Sequence, residues 1–283
     1  MQFRLGDRVY DVADRTLVMG ILNRTPDSFF DGGETFSLDA LLRRAELLVA
    51  DGADVLDIGG VKAGPGPVVS EAEELDRVVP AIETVRARFD APLSVDTWRS
   101  GVLRAACAAG AVLGNDISGF ADPEYLQAAA TFGASVVATH IRLAPRVPDP
   151  EPRYDDLLGE VRAFLAARAG AAEAAGLARE QIALDAGLDL GKTPAQSALL
   201  LRESEALASL GYTLLLSASN KRFLGDLLGL AIDARRDASL AAAAYGVMNG
   251  CRIVRVHDVA GSVRVCRMIE AVRVAERGEA RVS

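Results

Sequence analysis

The sequence predicts an α/β fold, a single (β/α)8 TIM barrel with an N-terminal β-hairpin capping the barrel bottom. Two observations predict it. Short β-rich runs alternate with longer amphipathic runs along the chain, which is typical of a parallel sheet. Eight such pairs occur within 283 residues, close to the usual size of one barrel. No Pro-, Gly- or Ser-rich linker divides the chain, so we expect one domain over residues 1–283.

The start of the chain predicts the hairpin. The segments QFRLG and RVYDV alternate in polarity and flank Gly6 and Asp7, a pair that favours a tight turn. We expect the hairpin to cover the amino end of the barrel, because the active site of a TIM barrel lies at the opposite end.

The barrel elements follow in order. Helix-period stretches such as SLDALLRRAELLVADG and SEAEELDRVVPAIETVRARF lie between the predicted strands. Several helices are expected to end at a glycine, which adopts the left-handed conformation easily: Gly52, Gly110, Gly133, Gly176 and Gly211. The strands are predicted at residues 17–22, 55–58, 93–96, 112–116, 135–140, 182–185, 213–218 and 253–257.

Composition argues against several classes of protein. The formal net charge is −8 and no basic stripe stands out, so we expect no nucleic-acid partner. The charged N-terminus and the lack of a run of about 18 apolar residues predict neither a signal peptide nor a membrane span. The cysteines Cys107, Cys251 and Cys266 have no paired spacing, and we expect buried thiols in a cytoplasmic protein.

Polar side chains lie at or just beyond the carboxyl end of every predicted barrel strand. Catalytic groups of a TIM barrel lie where strands end and the following loops begin. A single polar residue there is most often a helix cap or a surface group, but a complete set at all eight strands indicates a site. The set comprises Asn23, Asp57, Asp96, Asn115, Asp116, His140, Asp185, Ser219, Asn220, Lys221, Arg255 and His257.

The residue types indicate two kinds of ligand group. Asp96, Asn115 and Asp185 are short acceptors and one amide, a combination that suits a flat heterocycle with several N–H donors. Lys221 adds a cation for a ring carbonyl or nitrogen. No HxH, HExxH or CxxC pattern predicts a dedicated metal site.

Asn23, Arg255 and His257 come from the first and last strands, which are neighbours in a closed barrel. They predict a polar, partly cationic corner suited to an anion such as pyrophosphate, accompanied by Mg²⁺.

Several segments resemble the sequence blocks of dihydropteroate synthases. LNRTPDSFFDGG (22–33) resembles the family signature NxTPDSFSDGG, and the later blocks occur in the family order from about residue 17 to 275. Those blocks are ADVLDIGG (53–60), SVDTWRSGV (94–102), GNDISG (114–119), LDAGLDLGKT (184–193), SNKRFLG (219–225) and RIVRVHDV (252–259).

The resemblance implies a folate-biosynthesis transferase that joins a 6-hydroxymethyl-dihydropterin pyrophosphate to p-aminobenzoate and releases pyrophosphate. It implies that four residues hold the pterin ring: Asp96, Asn115, Asp185 and Lys221. It also implies a homodimer formed through C-terminal helices such as residues 262–278.

The same resemblance assigns the remaining roles. Asn23 would coordinate Mg²⁺, and Asn23, Arg255 and His257 would bind the anion that leaves. We take as candidate catalytic residues Asn23, Asp57, Lys221, Arg255 and His257.

The departures from the family fall around the second substrate. Where the family usually has ESTRPG, this chain has VKAGPG (61–66), with Ala63 and Gly64 in place of threonine and arginine. Asn220 replaces another arginine, and Leu190 replaces an aromatic residue. Three basic residues near the same rim are candidates to restore the charge: Arg24, Lys62 and Arg222.

These departures leave an alternative open. The chain would then be a pterin-binding paralogue with a different acceptor or no synthase activity, one form of which is a regulatory or partner-stabilising subunit. A corrinoid-dependent methyltransferase is disfavoured, because such barrels lack the TPDSF loop.

Overall fold

The computed structural model describes residues 1–24, 37–64 and 66–276. Most of the NRTPDSFFDGG motif therefore lies outside the described residues. The chain begins with the antiparallel hairpin of β1 (Gln2–Leu5) and β2 (Arg8–Asp11), as predicted.

The next eight strands form a closed barrel of parallel strands, which confirms the predicted fold class. They are β3 (Leu17–Asn23), β4 (Val55–Gly59), β5 (Leu93–Asp96), β6 (Leu113–Asp116), β7 (Ser135–Thr139), β8 (Ile182–Asp185), β9 (Thr213–Leu216) and β10 (Cys251–Val256). Each pairs with its neighbour in sequence, and β10 closes the ring against β3.

Helices surround this barrel. They are α1 (Leu38–Ala50), α2 (Glu71–Arg86), α3 (Ser100–Ala109), α4 (Tyr125–Phe132), α5 (Leu157–Ala174), α6 (Pro194–Arg202), α7 (Ser204–Ala208), α8 (Arg222–Leu228), α9 (Arg236–Met248) and α10 (Val259–Glu276). Short 3-10 turns span Arg179–Gln181 and Ile232–Ala234. Among the helices that the structure describes, none has the length and apolar character needed to cross a lipid bilayer.

The strand predictions hold to within about two residues at each end, with one consequence for the site. β9 ends at Leu216 rather than at residue 218, so Ser219, Asn220 and Lys221 lie in a loop before α8. Asn220 has a φ of 57° there, in the left-handed region that asparagine tolerates better than most residues.

The lower half of the barrel interior is apolar. Met19, Val55, Leu113 and Ile253 point inward from their strands and form one buried cluster with hairpin residues such as Phe3. The Ser135 hydroxyl donates to the Arg4 carbonyl over 2.5 Å and ties the hairpin to β7. The hairpin therefore closes the amino end of the barrel, as expected.

The upper half of the interior is polar, and strand periodicity explains the change. Alternate residues of a strand face the same side, so each apolar residue in the lower layer is followed two positions later by another inward side chain. Val55 is followed by Asp57, Leu113 by Asn115, and Ile253 by Arg255. The fold thereby places acceptors and a cation at the carboxyl end of the barrel.

The three cysteines are buried, free thiols, as predicted. Burial raises the pKa of Cys107, Cys251 and Cys266 to about 12. These side chains therefore act as small apolar groups in the packing between helices and strands.

Candidate active site

Arg255 joins two carboxylates at the centre of the polar layer. Its Nε donates to Asp57 Oδ2 over 2.5 Å, and its Nη2 donates to Asp96 Oδ2 over 2.7 Å. Burial raises the pKa of Asp96 to about 7 in spite of the attraction of Arg255. Two buried carboxylates share one guanidinium, so one of them holds its proton more strongly than usual. The two aspartates together raise the pKa of Arg255.

Asp57 is held by donors from two further strands. Its Oδ1 accepts from Ser94 Oγ at 2.5 Å, and its Oδ2 accepts from Asn115 Nδ2 at 3.2 Å. The Asp57 side chain is fully buried. These contacts orient the carboxylate toward Arg255 and connect Asn115 to the same network.

Asp185 and Lys221 lie on the other side of the layer. Asp185 Oδ1 accepts from the Gly187 backbone N–H at 2.8 Å. Lys221 Nζ donates to the Leu188 carbonyl at 2.5 Å. Burial raises the pKa of Asp185 and lowers that of Lys221, and each charge partly offsets the effect on the other.

Asn23 lies near Asp96, across a glycine on β4. A Cβ atom at Gly59 would come within 3.1 Å of Asn23 Oδ1 and 3.4 Å of Asp96 Cβ, so both side chains flank this position. The glycine at this position leaves room for these two side chains at the mouth of the barrel.

The described residues supply only part of the coordination shell that a Mg²⁺ ion needs. The described part of the chain has no group of three or more His, Cys, Asp or Glu side chains able to hold a metal ion. Mg²⁺ commonly keeps several waters and takes one or two protein oxygens together with substrate phosphates. The amide oxygen of Asn23 suits that kind of coordination.

His257 directly follows β10 and contacts the loop after β9. Its Nδ1 is 2.9 Å from Ser219 Oγ, and its backbone N–H donates to the same oxygen at 3.2 Å. Arg44 donates to the His257 carbonyl at 2.8 Å. His257 lines a cavity of about 310 Å³ with Asn220 and Arg236. The structure thus brings Arg255 together with the pterin-binding candidates and places His257 beside this cavity.

One rim prediction is wrong. Asp116 points away from the barrel interior because it follows the inward-facing Asn115 on β6. Its carboxylate accepts from the N–H groups of Ser118 at 2.6 Å and Phe120 at 2.8 Å. Burial raises its pKa to about 6. Asp116 shapes the turn that follows β6 and takes no part in the polar layer.

Sequence reasoning missed Lys192. Its buried Nζ is 2.9 Å from His140 Nδ1 and donates to the carbonyls of Gly187 at 2.8 Å and Leu190 at 3.0 Å. Burial lowers the pKa of Lys192 to about 7 and that of His140 to about 3. A usable signal existed, since the whole arginine-rich chain has only three lysines, Lys62, Lys192 and Lys221.

Lys192 supports the site without lining it. It fastens the segment after β8 against the end of β7, where His140 begins the next loop. That segment carries the Leu188 carbonyl, which accepts from Lys221. Lys192 therefore fixes the groups that orient Lys221 and Asp185.

Two of the basic residues expected to restore charge have other partners. Arg24 donates to the carbonyls of Asp76 at 3.1 Å and Arg77 at 2.8 Å, and burial lowers its pKa. The exposed Arg222 pairs with Asp226 at 2.9 Å.

A second cavity, here called the loop cavity, has a volume of about 360 Å³. It lies between the β4–α2, β7–α5 and β8–α6 connections and is lined by residues that include Ala63, Gly64, Leu143, Arg146, Val147, Asp149, Leu190 and Arg222. Three of the positions that depart from the resembled family pattern, Ala63, Gly64 and Leu190, therefore share one cavity.

Comparison with known proteins identifies the family. The chain matches the family described as pterin binding enzyme over residues 19–257. It is 43% identical to the "Inactive dihydropteroate synthase 2" of Mycobacterium leprae, covering 92% of each chain. It is 41% identical to the dihydropteroate synthase of Synechocystis sp., covering 95% of this chain and 94% of that protein.

A solved structure supports the same family. The chain superposes on Yersinia pestis dihydropteroate synthase, determined with a sulfonamide drug complex, with a TM-score of 0.92. The identity is 39%, and the match covers 97% of this chain and 100% of that one. The chain therefore belongs to the dihydropteroate synthase family of pterin binding enzymes.

Proposed function

We propose that the protein is a transferase that condenses 6-hydroxymethyl-dihydropterin pyrophosphate with p-aminobenzoate and releases pyrophosphate, as a dihydropteroate synthase. The observation that carries this proposal is the buried polar layer, in which Arg255 links Asp57 to Asp96 while Asp185 and Lys221 face it from the other side. Buried acceptors of this kind suit the N–H groups of a pterin ring.

The pterin ring binds to Asp96, Asn115, Asp185 and Lys221. The carboxylates accept hydrogen bonds from ring N–H groups, and the Asn115 amide offers both a donor and an acceptor. With a pKa near 7, the Asp96 carboxyl takes up or releases a proton easily under neutral conditions. Ring binding that favours the carboxylate therefore displaces that proton.

The departing pyrophosphate interacts with Asn23, Arg255 and His257. Their role is to stabilise negative charge as it develops on the leaving oxygen. Mg²⁺, held by Asn23 and the substrate phosphates, would supply further positive charge. Asp57 and Lys221 complete the catalytic set, because Asp57 orients Arg255 and Lys221 contacts the ring.

The amine of the second substrate then attacks the pterin methylene carbon. The carbon–oxygen bond to pyrophosphate breaks, and the proton of the amine passes to the departing pyrophosphate or to water. No covalent intermediate with the protein is needed.

A specific observation favours a second candidate, a pterin-binding paralogue with a different acceptor or no synthase activity. Ala63 and Gly64 carry no charge or hydroxyl where the resembled family pattern has a threonine and an arginine, and Arg222 pairs with Asp226. A similar protein carries the name "Inactive dihydropteroate synthase 2". Such a paralogue would act as a regulatory or partner-stabilising subunit.

We further propose a cytoplasmic homodimer formed through α9 and α10. Tyr245 and Met248 on α9, with Met268 and Val272 on α10, are large apolar side chains between 44% and 66% exposed. Arg273 Nη2 donates to the Met248 carbonyl at 3.1 Å, so these two helices present one continuous surface. Burying that apolar surface against a second copy stabilises the assembly.

The deciding experiment follows pyrophosphate release from the pterin substrate with and without p-aminobenzoate. Release that depends on p-aminobenzoate, and that falls at least a hundredfold in Arg255→Met, is expected for a synthase. Pterin binding without release would overturn the synthase proposal and favour the paralogue. Arg153→Met, a change at an exposed residue that pairs with Glu151 at the surface, is the matched control.

A further inference from the structure

We propose that Arg235 is a positioning residue for pterin binding: it holds the turn before α8 in the conformation that presents Lys221 to the pterin ring. The inference rests on the proposed function, because that function gives Lys221 its contact with the ring. It follows from the juxtaposition of the Arg235 guanidinium with the backbone on both sides of α8.

Arg235 lies just before α9 and reaches back over α8. Its Nη1 donates to the carbonyl of Asn220 at 3.1 Å and to that of Lys221 at 3.4 Å. Its Nε donates to the carbonyl of Leu230 at 3.3 Å. Asn220 and Lys221 precede α8, and Leu230 follows it. One guanidinium therefore fixes both ends of the helix that begins directly after Lys221.

The close packing of Arg235 on α8 depends on Gly225. A Cβ atom at Gly225, which is buried within α8, would lie 2.5 Å from Arg235 Cζ. That distance is well inside van der Waals contact, so any larger residue would push the guanidinium aside. Glycine weakens a helix interior by about 1 kcal/mol relative to alanine, so packing and not helix propensity accounts for a glycine here.

The turn that Arg235 holds contains a backbone conformation that few residues adopt. Asn220 has its φ in the left-handed region, and the Lys221 N–H donates to the Ala218 carbonyl at 3.2 Å. The Asn220 N–H donates to Ser239 Oγ at 3.0 Å, and this hydroxyl donates to the Arg235 carbonyl at 2.7 Å. Such conformations persist where the surrounding structure holds them and are concentrated at functional sites. Arg235 and Ser239 supply the contacts that hold this one.

The position of the turn decides where the Lys221 ammonium lies. Lys221 Nζ donates to the Leu188 carbonyl of the β8–α6 connection at 2.5 Å. Asp189 of the same connection accepts from the Phe223 N–H at 3.2 Å. This connection fixes the tip of the lysine, whereas Arg235 fixes the backbone from which the side chain extends. A shift of the turn therefore moves the ammonium relative to the other ring-binding groups.

The test is a double-mutant cycle on equilibrium binding of 6-hydroxymethyl-dihydropterin pyrophosphate, with Mg²⁺ and without an amine. Lys221→Met should weaken binding about tenfold to a hundredfold, because a charge-assisted hydrogen bond to the ring is lost. Arg235→Met should weaken it at least about fivefold. The double variant should bind within about twofold of Lys221→Met, because Arg235 acts only through Lys221. Arg235→Lys, which still donates to one carbonyl, should recover part of the affinity.

Arg252→Met is the matched control. Arg252 Nη1 also donates to two backbone carbonyls, those of Val247 at 3.2 Å and Cys251 at 2.9 Å, but at the start of β10. This variant should lose stability in urea unfolding as Arg235→Met does, and should keep its affinity for the pterin substrate. Equal weakening of binding in the two variants would overturn the inference. So would an affinity unchanged by Arg235→Met, or a double variant in which the two single effects multiply.

Gly225→Ala tests the same contact without removing the arginine. The added methyl group should displace the guanidinium and weaken pterin binding at least about threefold, with no further effect in the Arg235→Met background. Gly170→Ala on α5 is its control, because a Cβ atom at Gly170 would have no atom within 4 Å. Unchanged affinity in Gly225→Ala would contradict the role of Arg235.

The outcome is separable from that of the proposed function, because binding is measured without the amine. A non-additive cycle in a protein that never releases pyrophosphate supports the role of Arg235 while the synthase proposal fails. An additive cycle in an active synthase refutes the role of Arg235 alone. Full pterin affinity in Lys221→Met overturns the inference together with the ring contact assigned to Lys221.

Discussion

Arg255 and Asp57 form a buried ion pair at the mouth of the barrel, with Nε and Oδ2 separated by 2.5 Å. The residues come from the last and the second strand of the barrel, on either side of β3. The pair therefore links strands that are far apart in sequence, and Asp96 extends it to the next strand.

Arg255→Met should destabilise the protein by about 3–5 kcal/mol, because it leaves two carboxylates buried without their shared cation. Urea unfolding at neutral pH measures the free energy of unfolding. Arg222→Met, which breaks the exposed pair with Asp226, should cost less than about 1 kcal/mol. Similar decreases in the free energy of unfolding of the two variants would contradict the importance of the buried pair.

Asp96 should make stability depend on pH. Its pKa is about 7 in the folded protein against an ordinary value of 3.8, so between these values the folded chain binds more protons than the unfolded chain. Its contribution to stability therefore falls as pH rises toward 7 and is constant above. Asp96→Asn removes this contribution.

The free energy of unfolding of Asp96→Asn minus that of the unaltered protein should consequently increase from about pH 4 to pH 7. Urea unfolding at several pH values measures the difference. Asp237→Asn, at a carboxylate that is 91% exposed, is the control. A difference independent of pH would show that Asp96 ionises normally.

Lys192 should make the stability of the protein rise with pH above pH 7, which is the opposite of the effect of Asp96. Burial lowers its pKa from 10.5 to about 7, so between these values the folded chain binds fewer protons than the unfolded chain. Its contribution to stability therefore rises over this window. The free energy of unfolding of Lys192→Met should be lower than that of the unaltered protein by about 1–3 kcal/mol for each acceptor left unsatisfied at pH 7. The difference should be larger at pH 9.

Thermal and urea unfolding at pH 7, 8 and 9 check the prediction for Lys192, with Arg153→Met as control. A constant difference between Lys192→Met and the unaltered protein across this range would mean that the lysine stays charged.

Met268→Glu should weaken the proposed dimer, because it places a charge on the apolar α9–α10 surface that the second copy would cover. Sedimentation should show a shift from dimer to monomer, with the dissociation constant raised at least tenfold. Phe132→Glu, at a residue that is 45% exposed on α4, should leave the dimer intact. A monomeric unaltered protein would refute the dimer.

Periodicity was sufficient to predict the barrel and most of its polar layer. Asp57, Asn115 and Arg255 face inward because each is two residues beyond an apolar inward neighbour. The position of Asp116 at the strand end did not by itself predict which side of the sheet its side chain faces. The family resemblance added roles that periodicity cannot supply.

The contacts that sequence reasoning missed depend on loop conformation. Lys192 lies seven positions beyond Asp185 and returns to His140 only because Gly187, Asp189 and Gly191 take positive φ values. Arg146 reaches Pro67 across 79 positions of sequence. Neither contact has a periodic signature, so three-dimensional structure was required to find them.

The hairpin packing at the amino end has a kinetic consequence. Among the described residues, Phe3, Leu5 and Val12 pack into the amino end of the barrel, so ligands reach the polar layer from the carboxyl end. In the proposed reaction, a bound product carries both the pterin and the amine portions and occupies both positions together. Such a product competes with each substrate, and its departure sets the start of the next turnover.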